Sequence, residues 1–466
     1  MPDLPCDALI IGSGQAGNPL AKALAEAGQT VILVEEAELG GSCLNYGCIP
    51  AKMLVASAER AQLVRTAGEL GIEVAEKAVR VDMAAVQARK RALQARSRQN
   101  LARSLAPTHP GLRVLRGRAA FVGERRVRVS AEGRADQLIS ARRVFINVGT
   151  RPAVPGLPGL AEAGYLTTNE LLEIEEVPQR LLIVGGGYIG LEFGQLFRRL
   201  GSEVIILDTG ARVLEREDDD VCAALQAGLE AEGVEFVLSG QARRVSRDAA
   251  TGRYTLTVDV PGGERRLHGS HLLIATGRQP NTDALDLAAT GLQTDEKGFI
   301  PVNSRLETRV PGIYALGDVH GGPQFTHLSY DDFRVIRANL LENGPRRSAR
   351  QRPLPYCVFT DPGLGRVGLS EAQATEKKLK FRVAKVPVAH LSRAQQTGQT
   401  TGFWKILVGP DDRLLGAAIV GPAAGEIMTI IQVAMLGRLR YQQLAELVIA
   451  HPVWAEGLNV AFRSMR

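Results

Sequence analysis

The sequence predicts an α/β chain with two Rossmann-like dinucleotide-binding domains and a smaller C-terminal α+β domain. Three observations lead there. An apolar, β-branched strand that runs into a glycine turn and then a helix occurs twice. Each copy ends on a carboxylate at the same spacing, and past about residue 350 the chain mixes strands and helices without that signature. The 466 residues make about three domains, and 45% hydrophobic with 23% charged residues is an ordinary globular balance. No stretch reaches the roughly eighteen apolar residues of a membrane span. Met1 to Asp7 has no leader character, and 5 cysteines are too few for a disulfide-stapled scaffold, so a cytoplasmic protein is expected.

The first copy opens on a strand at 6–11 and turns through Gly12-Ser13-Gly14-Gln15-Ala16-Gly17. A helix follows to Gly28, then a strand at 30–34 finishing on Glu35. The second opens at 181–184, turns through Gly185-Gly186-Gly187-Tyr188-Ile189-Gly190, and reaches Asp208 after a helix and a strand at 203–207. Gly12 to Glu35 and Gly185 to Asp208 are each 23 residues apart. The first glycine of such a turn leaves the strand, the second admits a pyrophosphate to the backbone, and the third lets helix and strand pack closely. The phosphate sits on free N–H groups at the helix start, and the acid accepts from a ribose hydroxyl. Two such sites imply two dinucleotides and electron transfer between them.

Each block closes with a later strand, 144–150 carrying Gly149 and 272–278 carrying Gly277. A further strand, 313–319, runs into Gly317-Asp318, where a carboxylate suits the ribitol of a flavin. These landmarks divide the chain into 1–150, 151–278, 279–348 and 349–466. The net charge is +6, and 10 lysines leave 46 arginines, mostly scattered among acids. They mass only in 80–103, where Arg89, Lys90, Arg91, Arg96 and Arg98 face a single acid and no aromatic. That segment reads as a solvated amphipathic helix, with no nucleic-acid partner.

Cys43 and Cys48 lie in Gly40-Gly41-Ser42-Cys43-Leu44-Asn45-Tyr46-Gly47-Cys48-Ile49-Pro50-Ala51-Lys52, just past Glu35. The pair is open to three readings. Metal ligation lacks further ligands at the right spacing, and a structural bridge gains little from so short a loop. A redox pair beside a flavin explains the position best. Cys6, Cys222 and Cys357 read as packing or surface residues, and Trp404 as core of the last domain. His451 is followed five residues on by Glu456, which would orient its imidazole as a general acid–base. A histidine before a proline is, taken alone, more often a helix-entry residue.

Taken together these residues resemble the group I flavoprotein disulfide reductases, the pyridine nucleotide-disulfide oxidoreductases that include dihydrolipoamide dehydrogenase, glutathione reductase and mercuric reductase. GSGQAG, GGSCLNYGCIPAK, GGGYIGLEFG, IATGR, YALGDV and HPVWAE carry the likeness, in the family's order. The resemblance implies an FAD domain with Gly12, Gly14, Gly17, Glu35 and Gly149, and a NAD(P) domain with Gly185, Gly187, Gly190, Asp208 and Gly277. It also implies a central domain and a C-terminal dimerisation domain. It makes the protein a homodimer with a shared active site, His451 coming from the other subunit. Cys48 becomes the flavin-facing sulfur and Cys43 the one that meets substrate, with no metal in the site. Lys52 would approach the flavin and pair with Glu192, Asp318 would hold the ribitol, and Gln324, Phe325, Thr326 and His327 would lie beside the ring. Tyr188 would cover the flavin until nicotinamide enters.

Within the family, the chain lacks the C-terminal cysteine pair of mercuric reductases. Ser42, Ala51 and Trp454 depart from the lipoamide enzymes, and an indole between His451 and Glu456 would narrow a channel for a lipoyl arm. The segment GDVHGGPQFTHLSYDD, with IGSGQAG, is most similar to the reactive-chlorine-resistance (RclA-like) branch, which implies a small oxidised acceptor such as hypothiocyanous acid, or a metal ion such as copper(II). Lipoamide is the alternative acceptor, and a non-catalytic flavin-binding redox sensor the alternative of another class. Asp208 suits a free ribose 2′-hydroxyl and repels a 2′-phosphate, with Arg212 the nearby cation, so NAD(H) is expected ahead of NADP(H).

Overall fold

Seven strands of the first unit form one sheet whose parallel members end side by side, and that convergence places the first site. The computed structural model describes residues 3–75, 79–105, 111–463 and Met465. Two compact units divide the chain. One comprises Met1–Met53, Gln87–Ala153 and Gly277–Arg352, the other Leu54–Val86, Val154–Thr276 and Pro353–Arg466.

In the first unit the strand Gln137–Ile146 is central. Along one edge it pairs in parallel with Leu4–Ile11, which pairs in turn with Val31–Glu35 and that with Leu112–Arg116. Its other edge is shared between an antiparallel meander, Arg126–Ser130 and Arg118–Gly123, and the short parallel strand Ile313–Ala315. Leu9, Ile10, Phe145 and Ile146 are buried because both faces of these strands are covered, as their continuous apolar character requires. The strand expected over 144–150 stops at Ile146, and Gly149 takes a positive φ of 66°. Thr150–Pro152 then pairs antiparallel with Arg278–Pro280, so the two chain crossings near 150 and 278 meet as a small ribbon.

The second unit holds a four-stranded parallel sheet in the order Val234–Val237, Glu203–Leu207, Arg180–Val184, His271–Ile274. A three-stranded antiparallel meander from Gln241 to Gly269 joins its core. The strand expected over 272–278 ends at Ile274, and Gly277 follows at φ 125°. The last segment forms a five-stranded antiparallel sheet, in the order Tyr356–Val358, Leu364–Gly368, Leu414–Val420, Phe403–Val408, Arg382–Pro387. Trp404, fully buried, anchors its core, as its sequence context predicts.

The basic segment departs from expectation. Met83–Ser104 is a helix, and Arg89, Arg91 and Arg96 are exposed, but Lys90 is fully buried together with Gln87 and Gln94. These three recur at the spacing of one helical face. Gln94 donates to the Asn45 and Leu44 carbonyls at 3.1 and 3.3 Å, and Arg98 donates to the Asn45 side chain at 2.7 Å. The helix therefore supports the cysteine loop through a polar inner face, which a purely solvated helix would not have.

Candidate active site: two glycine turns, a dithiol and an imidazole–carboxylate pair

The two glycine turns repeat each other in three dimensions. Gly12 N–H donates to the Val34 carbonyl and Gly185 N–H to the Leu207 carbonyl, each at 2.8 Å. A Cβ on Gly12 would strike the Asn147 carbonyl, and one on Gly185 the Ala275 carbonyl. A Cβ on Gly17 would strike the carbonyl of Gly12, and one on Gly190 that of Gly185, so strand and helix touch only because side chains are missing there. Around Gly187 a Cβ would meet nothing within 4 Å, and that residue is exposed. The second turn therefore leaves its backbone open where a pyrophosphate would lie, while in the first a Cβ on Gly14 would meet Asn147 Oδ1 at 2.8 Å.

Both terminal acids first hold their own turn. Glu35 accepts from Ser13 N–H at 2.8 Å, from the Ser13 hydroxyl at 2.7 Å and from Ala37 N–H at 2.8 Å. Asp208 accepts from Gly186 N–H and, at 2.7 Å, from Gly210 N–H. Arg212 forms an ion pair with Asp219. The turn at Gly210 also brings the Glu215 carboxylate in, where a Cβ on Gly210 would crowd its Cδ at 2.7 Å and Asp208 Oδ1 at 3.0 Å.

Asn147 reads in the sequence only as part of a strand end, yet it braces the first turn. Its Oδ1 accepts from Gly17 N–H at 2.9 Å and its Nδ2 donates to the Leu316 carbonyl at 2.9 Å. The one signal in the sequence is a polar residue closing an apolar strand. Two residues past Leu316 stands Asp318, half-buried, accepting from the Thr150 hydroxyl at 3.1 Å. Arg278 holds Thr150 in turn through its hydroxyl and its carbonyl, both at 2.8 Å. Burial pushes the Asp318 carboxyl up, against the opposing pull of Arg278 and the Thr150 hydrogen bond. The turn beyond is fixed by buried Asp332, which accepts from Gly317 N–H at 2.8 Å and lies 2.9 Å from His320 Nε2. Arg352 lies 2.8 Å from its other oxygen.

Cys43 sits on the short helix Gly41–Asn45, and Cys48 begins the helix Cys48–Arg65. Both are thiols in this structure, hydrogen-bonded to each other. The Thr326 hydroxyl is 3.2 Å from Cys48 Sγ. The shared hydrogen bond with Cys48 pushes the Cys43 thiol well above the ordinary cysteine range, and burial and the charge on Cys48 add to the shift. Cys48 stands at a helix start, where negative charge is favoured. Lys52 lies one turn further along the same helix. Phe325 and His327 stack with ring centroids 5.4 Å apart, after Gln324 and around Thr326. Cys43, Cys48, Lys52, Asp318 and 324–327 thus all fall in the first unit.

Glu192, Tyr188 and His451 fall in the second. Glu192 is buried and accepts from Phe359 N–H at 3.0 Å, and Tyr188 packs beside Val221 and Val358. His451 Nδ1 lies 3.0 and 3.1 Å from the two Glu456 oxygens, with the imidazole largely exposed. Glu456 thereby orients the ring and leaves Nε2 outward. Trp454 is half-buried against the C-terminal core, so only part of the indole is left to shape a channel.

Two dinucleotide cradles with a dithiol on the first define a flavin-dependent reductase that draws on a pyridine nucleotide. Comparison with known proteins agrees: the chain belongs to the pyridine nucleotide-disulphide oxidoreductase family, whose model matches residues 6–332, and the family's dimerisation domain matches residues 354–462. Among similar proteins are the probable pyridine nucleotide-disulfide oxidoreductase RclA of Escherichia coli, 36% identical over 98% of each chain, and the mercuric reductase of Staphylococcus aureus, 32% identical over 98% of this chain and 81% of that one. The dihydrolipoyl dehydrogenase of Bacillus subtilis is 32% identical over 98% of this chain and 97% of the other. The Cu(II) complex of the HOCl-induced flavoprotein disulfide reductase RclA from Escherichia coli superposes with a TM-score of 0.89 at 34% identity, covering all of both chains. The protein is thus an FAD- and NAD(P)H-dependent oxidoreductase of the disulfide reductase type, and its dimerisation domain indicates a homodimer. Among the described residues no helix is long and apolar enough to cross a membrane.

Proposed function

We propose that this enzyme passes electrons from NADH through a Cys43–Cys48 redox pair to a small oxidised acceptor of the hypothiocyanous-acid or reactive-chlorine type. The observation that carries the reading is the cysteine pair itself, Cys43 on the helix Gly41–Asn45 and Cys48 at the start of the helix Cys48–Arg65, with the Thr326 hydroxyl 3.2 Å from Cys48 Sγ. When bound, FAD supplies the two-electron relay between reduced nicotinamide and the cysteines. Gly12, Gly14, Gly17, Glu35 and Gly149 would hold its dinucleotide portion, Asp318 its ribitol, and Lys52 with Gln324, Phe325, Thr326 and His327 would flank the ring. Gly185, Gly187, Gly190, Asp208 and Gly277 would hold the nicotinamide dinucleotide, with Tyr188 and Glu192 at its inner end.

A thiol whose pKa is raised needs a base before it can attack. We assign that task to His451 of the partner subunit, oriented by Glu456, which makes the active site a shared one. Cys43 gives its proton to the imidazole and its sulfur attacks the sulfur of hypothiocyanous acid. Hydroxide leaves and takes the proton back from the imidazolium as water. The Cys48 thiolate then attacks Cys43, thiocyanate departs, and the disulfide closes, carrying two electrons' worth of oxidation. The Escherichia coli relative is HOCl-induced and its solved structure is a Cu(II) complex, which supports this acceptor class, with a metal ion as an added acceptor. A cytoplasmic setting follows from the need to keep the pair reducible.

Steady-state NADH oxidation with hypothiocyanite, lipoamide, glutathione disulfide, Cu(II) and Hg(II) tests the acceptor, and the highest kcat/KM is expected for hypothiocyanite. Lipoamide in first place would return the reading to the lipoamide enzymes, and no acceptor-dependent turnover at all would favour a sensor. Cys43→Ser should lower turnover by about a thousandfold or more while FAD stays bound; full turnover in that variant would remove the route.

NADH is favoured because the Asp208 and Glu215 carboxylates stand together while Arg212 is already paired with Asp219. A 2′-phosphate would meet two like charges. We expect kcat/KM for NADH to exceed that for NADPH by about tenfold or more, and Asp208→Ala to narrow the ratio. A preference for NADPH in the unaltered enzyme would overturn this.

A further inference from the structure

A polar cavity lies in the first unit, on residues to which the glycine turns and the dithiol assign nothing. It measures ≈ 340 Å³, and its lining includes Arg143, Arg305 and Arg346, with Glu307 the one acid. Tyr314 and Leu340 form its apolar wall. The wall is rigid, because the Tyr314 ring stacks on buried Phe145 with centroids 5.0 Å apart and Leu340 packs into the same core. The three arginines share this lining with Tyr314, whose phenol is pushed up by burial and Glu307 while the three guanidinium charges oppose the shift.

The charges there do not balance. Glu307 is already paired with Arg305, Nη2 to Oε2 at 3.0 Å, and accepts from the Asn303 amide at 2.7 Å. Among the described residues, the side chains of Arg143 and Arg346 make no ion pair and no hydrogen bond, whereas many arginines elsewhere on the surface have a carboxylate partner. Two guanidinium groups that line one cavity without a carboxylate of their own leave it positively charged, which favours a bound anion. Planar guanidinium groups suit phosphate oxygens in paired hydrogen bonds, and a phosphate monoester at neutral pH carries close to two negative charges, matching the excess. The volume exceeds what a lone phosphate needs and reaches the lower end of small-molecule sites, about 300 Å³. The remaining space is bounded by Tyr314, Ile336 and Leu340, with Asn339 and the Arg305–Glu307 pair at its side.

We infer that this cavity is a binding site for a small phosphorylated organic molecule, its phosphate on Arg143 and Arg346 and its carbon body against Tyr314 and Leu340. Arg143 lies four residues before Asn147 and Tyr314 four before Asp318, on the two strands that reach the flavin end of the sheet.

Calorimetric titration of the FAD-loaded dimer with phenyl phosphate, at constant ionic strength, tests the assignment; inorganic phosphate, sulfate and phenol serve as comparators. One saturable site per chain is expected, tighter for phenyl phosphate than for any comparator. Arg143→Met and, separately, the more exposed Arg346→Met should each weaken it by about tenfold or more, with the thermal midpoint and flavin spectrum unchanged. Absence of saturable binding, affinity that neither substitution moves, or sulfate binding as tightly as phenyl phosphate would overturn it.

Discussion

Five cysteines share this chain, and the chemistry of each follows from what surrounds its sulfur. Cys6, in the first sheet, is buried, and burial pushes its thiol up to about 12. Cys222 is buried too and rises to about 11, and Cys357 packs against the C-terminal core. None competes with Cys48, which has a helix start and the Thr326 hydroxyl beside it. The Cys6 shift also makes a stability statement. Above pH 9 the unfolded chain loses this proton while the folded chain keeps it up to about 12, so the unfolded state binds fewer protons and stability falls as pH rises. Cys6→Ala removes that dependence. The cost of the substitution in urea unfolding should therefore shrink by about 1–2 kcal/mol between pH 8 and pH 10.5. A cost that stays constant across that range would contradict it.

At the scale of elements, one glycine ties the His451–Glu456 pair to the C-terminal core. Gly457 begins the helix Gly457–Arg463 directly after Glu456, and a Cβ there would land on the six-membered ring of Trp404. Trp404 cannot withdraw, being fully buried in the antiparallel sheet. Gly457→Ala should therefore cost about 1–3 kcal/mol of stability and lower turnover, because the 3₁₀ turn carrying Glu456 must shift with the helix. Unchanged denaturation and unchanged kcat would show that the segment gives way freely. Asn147 plays the corresponding part in the first unit, where one side chain satisfies both a helix-start N–H and a strand-end carbonyl.

On the scale of the whole molecule, the second unit is held across its parts by buried charge. Lys405 is almost fully enclosed and lies 2.7 Å from Asp218, 2.6 Å from Asp220 and 3.2 Å from Glu371. Burial disfavours the ammonium, yet the hydrogen bonds to Asp218 and Asp220 outweigh it and raise its pKa. Asp218 also caps the helix Glu371–Glu376 by accepting from Glu371 and Ala372 N–H, and Arg366 pairs with buried Glu217 alongside. The network thus links the helix Asp219–Ala231 to the antiparallel sheet of the last segment. Lys405→Met would leave buried Asp218 without its cation, while Asp220 keeps Lys385. A loss of about 3–5 kcal/mol in chemical denaturation is expected; a loss below about 1 kcal/mol would mean that solvent reaches the acids.

The order of residues along the chain is enough to specify the family of this protein: two glycine turns, each 23 residues from its acid, a cysteine pair and a histidine five residues before a glutamate. Those signals are local, because a pyrophosphate turn and a redox pair each need particular residues within one or two turns of chain. Folding alone selects the residues that brace them. Asn147 reaches Gly17 over 130 residues and Leu316 over 169, and Arg278 reaches Thr150 over 128, distances at which no periodicity carries information. Lys90 reads as part of a solvated amphipathic helix, and only the fold turns its side of the helix inward and brings Gln94 to the carbonyls of the cysteine loop. The counter-charges of Arg143 and Arg346 can be counted only after folding, since charge balance is a property of space and not of order along the chain.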